Sequence, residues 1–158
     1  MRVDWIVLAN AAEVRDELVN LLGGGWNVAY REAYPAAFYG AIALTLVLDP
    51  RELATPHHLE IAILDQEGKV LADARSPIAL PPPAPPWVEV PANWDIRVSM
   101  AVNLSGVQIP APGLYHITVS VDGLHLRDPL EVKFIQASPS ELLPGVQPPR
   151  EEATGRTT

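Results

Sequence analysis

The chain has 158 residues, eleven basic against nineteen acidic for a net charge of −8, and no cysteine. Disulfides, thiolate metal sites, iron–sulfur clusters and cysteine nucleophiles are thereby excluded, and basic residues scattered singly supply no stripe for a phosphate backbone, so nucleic acid is not an expected partner. The length suits one domain with its own core, and the absence of cysteine favours a cytoplasmic location.

Arg2 to Leu8 reads as a first strand, with Val3, Trp5 and Val7 on one face and Ile6 and Leu8 on the other, so both faces are apolar. The N-terminal apolar run of five residues is too short for a signal-peptide core. The longest uncharged apolar run, Ala36 to Leu48, has 13 residues and is too short to span a bilayer as a helix. No membrane contact is expected. Residues 11–22 admit two readings. Asn10 with Glu13 resembles a capping box and Gly23 a helix C-cap, whereas Val14, Leu18, Leu21 and Leu22 form only part of an apolar stripe. The adopted reading is a short loop or turn of helix, then a strand from Leu18.

Three segments, Leu-Ala-Asn-Ala-Ala-Glu from Leu8, Leu-Val-Asn-Leu-Leu-Gly-Gly-Gly-Trp from Leu18 and Pro-Ala-Ala-Phe-Tyr-Gly-Ala-Ile-Ala-Leu from Pro35, resemble a family of small uncharacterised bacterial β-sandwich proteins, largely actinobacterial. The resemblance runs from the N-terminus to about Gln136. It implies that Gly-Gly-Gly-Trp ends a strand, and it implies no activity and no catalytic residue.

Phe38 to Leu48 reads as the longest strand, Ile42, Leu44, Leu46 and Leu48 on one side and Ala41, Ala43, Thr45 and Val47 on the other, ended by Asp49-Pro50. His58 to Leu64, a turn at Asp65-Gln66-Glu67-Gly68 and Lys69 to Ala72 form a hairpin. Seven prolines between Pro77 and Pro91 mark a crossing loop at which the chain changes sheets. Asn93 to Leu104 is a strand with Ile96, Val98, Met100, Val102 and Leu104 inward. From Pro112 to Phe134 the pattern is a hairpin: Tyr115, Ile117, Val119 and Val121 alternate with polar residues, and Asp122-Gly123 favours a type I′ turn pairing Val121 with Leu124 and Val119 with Leu126. Leu130, Val132 and Phe134 share that face if Asp128-Pro129 keeps the parity.

Seven to nine short strands and little helix predict an all-β, antiparallel immunoglobulin-like β-sandwich over residues 1–136, with 137–158 a mostly flexible tail. Pro112-Gly113-Leu114-Tyr115 resembles the tyrosine corner of such folds, with Ile117 at the place of the second cysteine.

Little chemistry is legible. The neighbours His57 and His58 should point opposite ways, and His116 and His125 are expected on opposite faces, so no histidine metal site is predicted. Asp65, Glu67, Asp122 and Asp128 sit at turns where calcium ligands occur, but acidic residues are also ordinary turn chemistry. Gly-x-Ser-x-Gly is absent, Gly23-Gly24-Gly25 lacks the Lys-Ser/Thr of a phosphate loop, and no local pair of carboxylates suggests glycoside chemistry. Pro82–Pro85 and Pro83–Pro86 are Pro-x-x-Pro pairs in what reads as a stiff crossover. The informative feature is missing charge: sixteen residues between Glu32 and Asp49, and Val98 to Val121, carry none. The outward face Ala41, Ala43, Thr45 and Val47 is thus covered either within the chain, by loops, the N-terminal segment or the C-terminal tail, or by a second subunit of a homo-oligomer or a protein partner, and the latter is the adopted reading. The leading reading is a non-catalytic interaction or assembly module, with no enzyme activity and no cofactor. The alternative is a small-ligand or carbohydrate-binding sandwich using Trp26, Trp87 or Trp94.

Overall fold

In the computed structural model, which describes residues 1–82, 91, 94–125 and 127–138, the chain is all-β and folds as a β-sandwich. Its strands are β1 (Arg2–Arg15), β2 (Leu18–Gly24), β3 (Val28–Arg31), β4 (Ala36–Phe38), β5 (Ala41–Leu48), β6 (His58–Asp65), β7 (Val70–Pro77), β8 (Ile96–Asn103), β9 (Val107–Ile109), β10 (Gly113–Val121), β11 (Leu124–His125) and β12 (Leu130–Gln136). A 3₁₀ turn, Pro50–Ala54, follows β5. Among the described residues the twelve strands exceed the seven to nine expected because β3, β4, β9 and β11 are pieces of two to four residues without a readable period.

One sheet has the order β2-β1-β5-β8. The second runs β3-β12-β10-β6-β7 with β11 beside β10, and β4 pairs with β9. All pairings are antiparallel except β12 with β3, which is parallel. The core lies between the two large sheets, where Ile42, Leu44, Leu46 and Leu48 meet Leu59, Ile61, Ile63 and the odd-numbered face of β10. The chain changes sheets between β7 and β8 as the proline run predicts, although residues 83–90, which include most of that run, lie outside those described.

The β10 hairpin follows its sequence closely. Asp122 and Gly123 take φ of 50° and 80°, the left-handed pair a type I′ turn requires, and Val121 pairs with Leu124. Leu126, the expected partner of Val119, is outside the described residues. Beyond Asp128-Pro129 the register has moved by two residues, Ile117 facing Leu130. An even shift preserves parity, so Val132 and Phe134 remain buried with Tyr115. The Tyr115 hydroxyl donates to the Ala111 carbonyl at 2.8 Å, which closes a tyrosine corner.

Two stretches differ from expectation. Residues 11–15 are neither loop nor helix: β1 continues to Arg15 and turns at Asp16-Glu17. The predicted strand from Phe38 is broken at Tyr39-Gly40, and β1 is the longer element. A Cβ on Gly40 would lie 3.1 Å from Phe38 Cζ and 3.2 Å from the Ala9 carbonyl, so the chain crosses from β4 into the neighbouring sheet through a tight gap.

Candidate functional site

The least covered apolar surface is the arm formed by the outer half of β1 and by β2. Between Glu17 and Arg31 the sequence has no charge, and Leu18, Val19, Leu21 and Leu22 favour a pleated surface. Asp16 and Glu17 form the two-residue turn with φ of 51° and 65°; both residues are left-handed, as a hairpin of this length needs. The ladder runs from Arg15 facing Leu18 to Ala9 facing Gly24. Gly23, at φ 60°, sits against Asn10, whose Nδ2 would be 2.4 Å from any added Cβ. The strand ends at Gly24, as the resemblance implies for this block.

β5 pairs with β1 only as far as Ala9, so beyond that point β1 has β2 as its one hydrogen-bonded strand among the described residues. Leu18 and Leu22 are each 69 % exposed, Leu21 44 % and Val14 38 %. β2 is the edge of its sheet. An uncharged apolar edge strand offers a template for another strand, which proteins ordinarily block with charge, proline or a covering element.

The surface expected from sequence is elsewhere and closed. Ala41, Ala43, Thr45 and Val47 do face away from the core, but all are buried, Ala43 completely. Their register neighbours are Trp5, Val7 and Ala9 on β1 and Arg97, Ser99 and Ala101 on β8. Strands two apart in a flat sheet are separated by about 9.6 Å. Yet Cα atoms of β1 and β8 come within 8 Å, and β2 also approaches β8. The sheet is therefore curled into a trough with β5 at its floor. Asp4 pairs with Arg97, and Arg2 donates to Asp95 at 2.9 Å, so charged contacts join β1 to the start of β8 across β5. Thr45 and Ser99 hydroxyls share a bond at 3.0 Å. The small side chains let the trough close, so these four residues are buried within the single chain and present no open contact surface.

Of the three tryptophans named for a ligand platform, Trp26 and Trp94 lie in different surroundings. Trp26 packs on Phe38 with ring centroids 6.0 Å apart, and its Nε1 is buried without a hydrogen-bond partner, so it belongs to the core margin. Trp87 lies outside the described residues. Trp94 is 62 % exposed and borders a cleft of about 230 Å³ with Arg2, Asp49, Pro50 and Asp95.

A polar cluster that sequence did not reveal joins distant segments at one end of the sandwich. His57 Nδ1 is 2.6 Å from Asp122 Oδ2, and its Nε2 is 2.8 Å from the Glu52 carbonyl and 3.2 Å from the Thr55 hydroxyl. The hydrogen bond to Asp122 raises the His57 pKa above its ordinary value, outweighing burial, with the Glu52 carbonyl adding to the rise. The same bond, with one from the His58 amide, lowers that of Asp122. Burial alone would raise Glu52, but bonds from the N-terminal ammonium, 2.6 Å away, and from the Asp49 amide bring it below the usual value. Thr55, His57 and Asp122 have the order of a nucleophile, base and carboxylate. A carbonyl only accepts, however, so Nε2 carries a hydrogen, and the carboxylate requires another on Nδ1. In this doubly protonated form the ring donates to both acceptors and offers no lone pair to Thr55. The cluster is a clamp between the 3₁₀ turn, β6 and the β10–β11 turn.

The remaining candidates are dispersed. Asp65 accepts the amides of Glu67 and Lys69, which is turn chemistry. His125 faces Ser120 and so lies on the same side of the sheet as His116, not the opposite side, because the register pairs odd with even positions. Four residues of strand, about 13 Å, still separate His116 from the His125 position. Among the described residues no group of three or more His, Asp or Glu side chains is arranged to hold a metal, and no helix is long and apolar enough to cross a membrane. No curated protein is similar to the chain. A model described as a family of unknown function (DUF6941) matches residues 4–133, from the bulge at the start of β1 into β12, and the chain belongs to that family.

Proposed function

We propose that this chain is a non-catalytic interaction or assembly module, an immunoglobulin-like sandwich working in the cytoplasm, that self-associates through the β1–β2 arm. The observation that carries the reading is the exposure of Leu18, Leu21, Leu22 and Val14 on an uncharged edge strand. Fully burying one leucine contributes about 1.5–3 kcal/mol, so covering the exposed parts of Leu18 and Leu22 gives roughly 2–4 kcal/mol per copy. Counted over two copies, that is comparable with the lower range of the association cost, about 4–15 kcal/mol, and backbone bonds at the edge add to it. Sedimentation velocity on the whole chain and on Leu18→Glu/Leu22→Glu tests this. The expected result is an oligomer for the natural sequence and a folded monomer for the variant; an oligomer unchanged by both charges refutes the arm as the contact.

A second reading rests on Trp94, whose exposed indole beside Asp49, Asp95 and Arg2 suits stacking on a sugar ring with polar groups at its rim. Soluble oligosaccharides that shift the tryptophan emission of the natural chain but not of Trp94→Ala would support it, and an unchanged emission would end it.

A further inference from the structure

The edge of β2 carries a more specific statement, which rests on the self-association reading above. A two-residue turn closes on a hydrogen-bonded pair, here Arg15 with Leu18, and bonded and non-bonded pairs then alternate along the ladder. Asn20 and Leu22 therefore turn their backbone groups toward β1, while Val19 and Leu21 turn theirs outward. Among the described residues nothing bonds those outward groups, since β2 has β1 alone as a hydrogen-bonded neighbour. Gly23 leaves strand geometry at φ 60°, which limits the regular edge to Leu18–Leu22.

The geometry points to a second copy of this chain as the occupant, with β2 pairing antiparallel to itself about a two-fold axis through Asn20, so that two four-stranded sheets become one of eight. In this register Val19 and Leu21 of one copy exchange four backbone hydrogen bonds with Leu21 and Val19 of the other. On one face each Leu18 meets the second copy's Leu22, which sets the two most exposed leucines of the arm against each other. On the opposite face Val19 meets Leu21. The one polar residue of the stretch, Asn20, faces its own copy, amide to amide. Moving the axis to Leu21 would set Leu18 against Gly24 and Asn20 against Leu22, and would lose these matches. Charge agrees as well: Asp16 and Glu17 at the tip come opposite Gly24 and Gly23 of the second copy, away from any like charge. A strand whose best complement is its own sequence fits an isologous contact.

The chain has no cysteine, so one introduced thiol reports one position. Directly opposed residues of a non-hydrogen-bonded pair have Cα atoms about 4.5 Å apart, within the range a disulfide spans. Asn20→Cys is expected to form a covalent dimer under mild oxidation at concentrations where the natural sequence is dimeric. Leu18→Cys and Leu22→Cys are expected not to link alone, and to link when both are present in one chain. A natural-sequence oligomer in which Asn20→Cys fails to link, or links no better than Leu18→Cys, overturns the register but leaves self-association standing. A monomeric natural sequence overturns both, and gives the edge to a foreign strand. If Asn20→Cys does not fold, hydrogen exchange on the natural sequence decides: the Val19 and Leu21 amides must be protected at high concentration and lose protection on dilution, and fast exchange at all concentrations refutes the pairing.

Discussion

Ala43→Glu separates a closed trough from an open sheet face. Ala43 is fully buried, between Val7 and Ala101 in the register, and its side chain points away from the main core. Were that face open, a glutamate would extend into water and cost little. In the trough the carboxylate has no water and no cation opposite it in the register, and an uncompensated buried charge costs about 3–5 kcal/mol. A domain has only about 5–15 kcal/mol in all, so the change removes a large share of its stability. For a chain of this size 1 kcal/mol moves Tm by roughly 2–4 °C, so the expected loss is about 6–20 °C. Thermal unfolding followed by far-ultraviolet circular dichroism reads this directly, with Ala101→Glu, at a half-buried position on the edge strand β8, as a comparison expected to lose less. An Ala43→Glu protein that melts with the natural sequence would refute the curled sheet as the reason these residues are buried.

Three further outcomes follow from the clamp, the corner and the arm. His57 has a raised pKa, so its contribution is whole below the unfolded value of about 6.5 and is lost as pH rises through the folded value. Asp122 is lowered, so its contribution is present above about 3.9 and lost as pH falls through the folded value. Urea midpoints should therefore decline on both sides of that window, and His57→Gln should remove the alkaline decline; an identical profile in the variant would contradict the clamp. Tyr115→Phe leaves the Ala111 carbonyl without its bond and should cost about 0.5–1.5 kcal/mol, seen as a lower urea midpoint with unchanged slope. Leu18→Glu/Leu22→Glu changes exposed positions and should leave the Tm of the monomer within the range of surface substitutions, about 0.5 kcal/mol, so a large loss would show that these leucines support the fold itself.

Strand faces were readable wherever period-two alternation was unbroken. The inward sets of β5, β8 and β10 are buried or half-buried as their patterns require, and Asp122-Gly123 makes the turn its residues favour. Residues 11–15 were not readable, because alanines and a false capping box carry no strand period and an Asp-Glu turn lacks the usual glycine. Small uncharged residues on β5 signalled that something covers them, but composition cannot separate a partner from the sheet's own curl. The uncharged run from Leu18 to Tyr30 is the sequence signal of the arm, of the same kind as the run before Asp49. His57 and Asp122 are 65 residues apart and meet only through the β6–β10 pairing, which no local pattern encodes.

Light scattering on a sizing column, run on the whole chain over a dilution series, tests self-association through the arm most directly. The expected mass is twice the 17.1 kDa of one chain at high concentration, falling toward 17.1 kDa on dilution, and 17.1 kDa throughout for Leu18→Glu/Leu22→Glu. A natural sequence that elutes at 17.1 kDa at every concentration would contradict it.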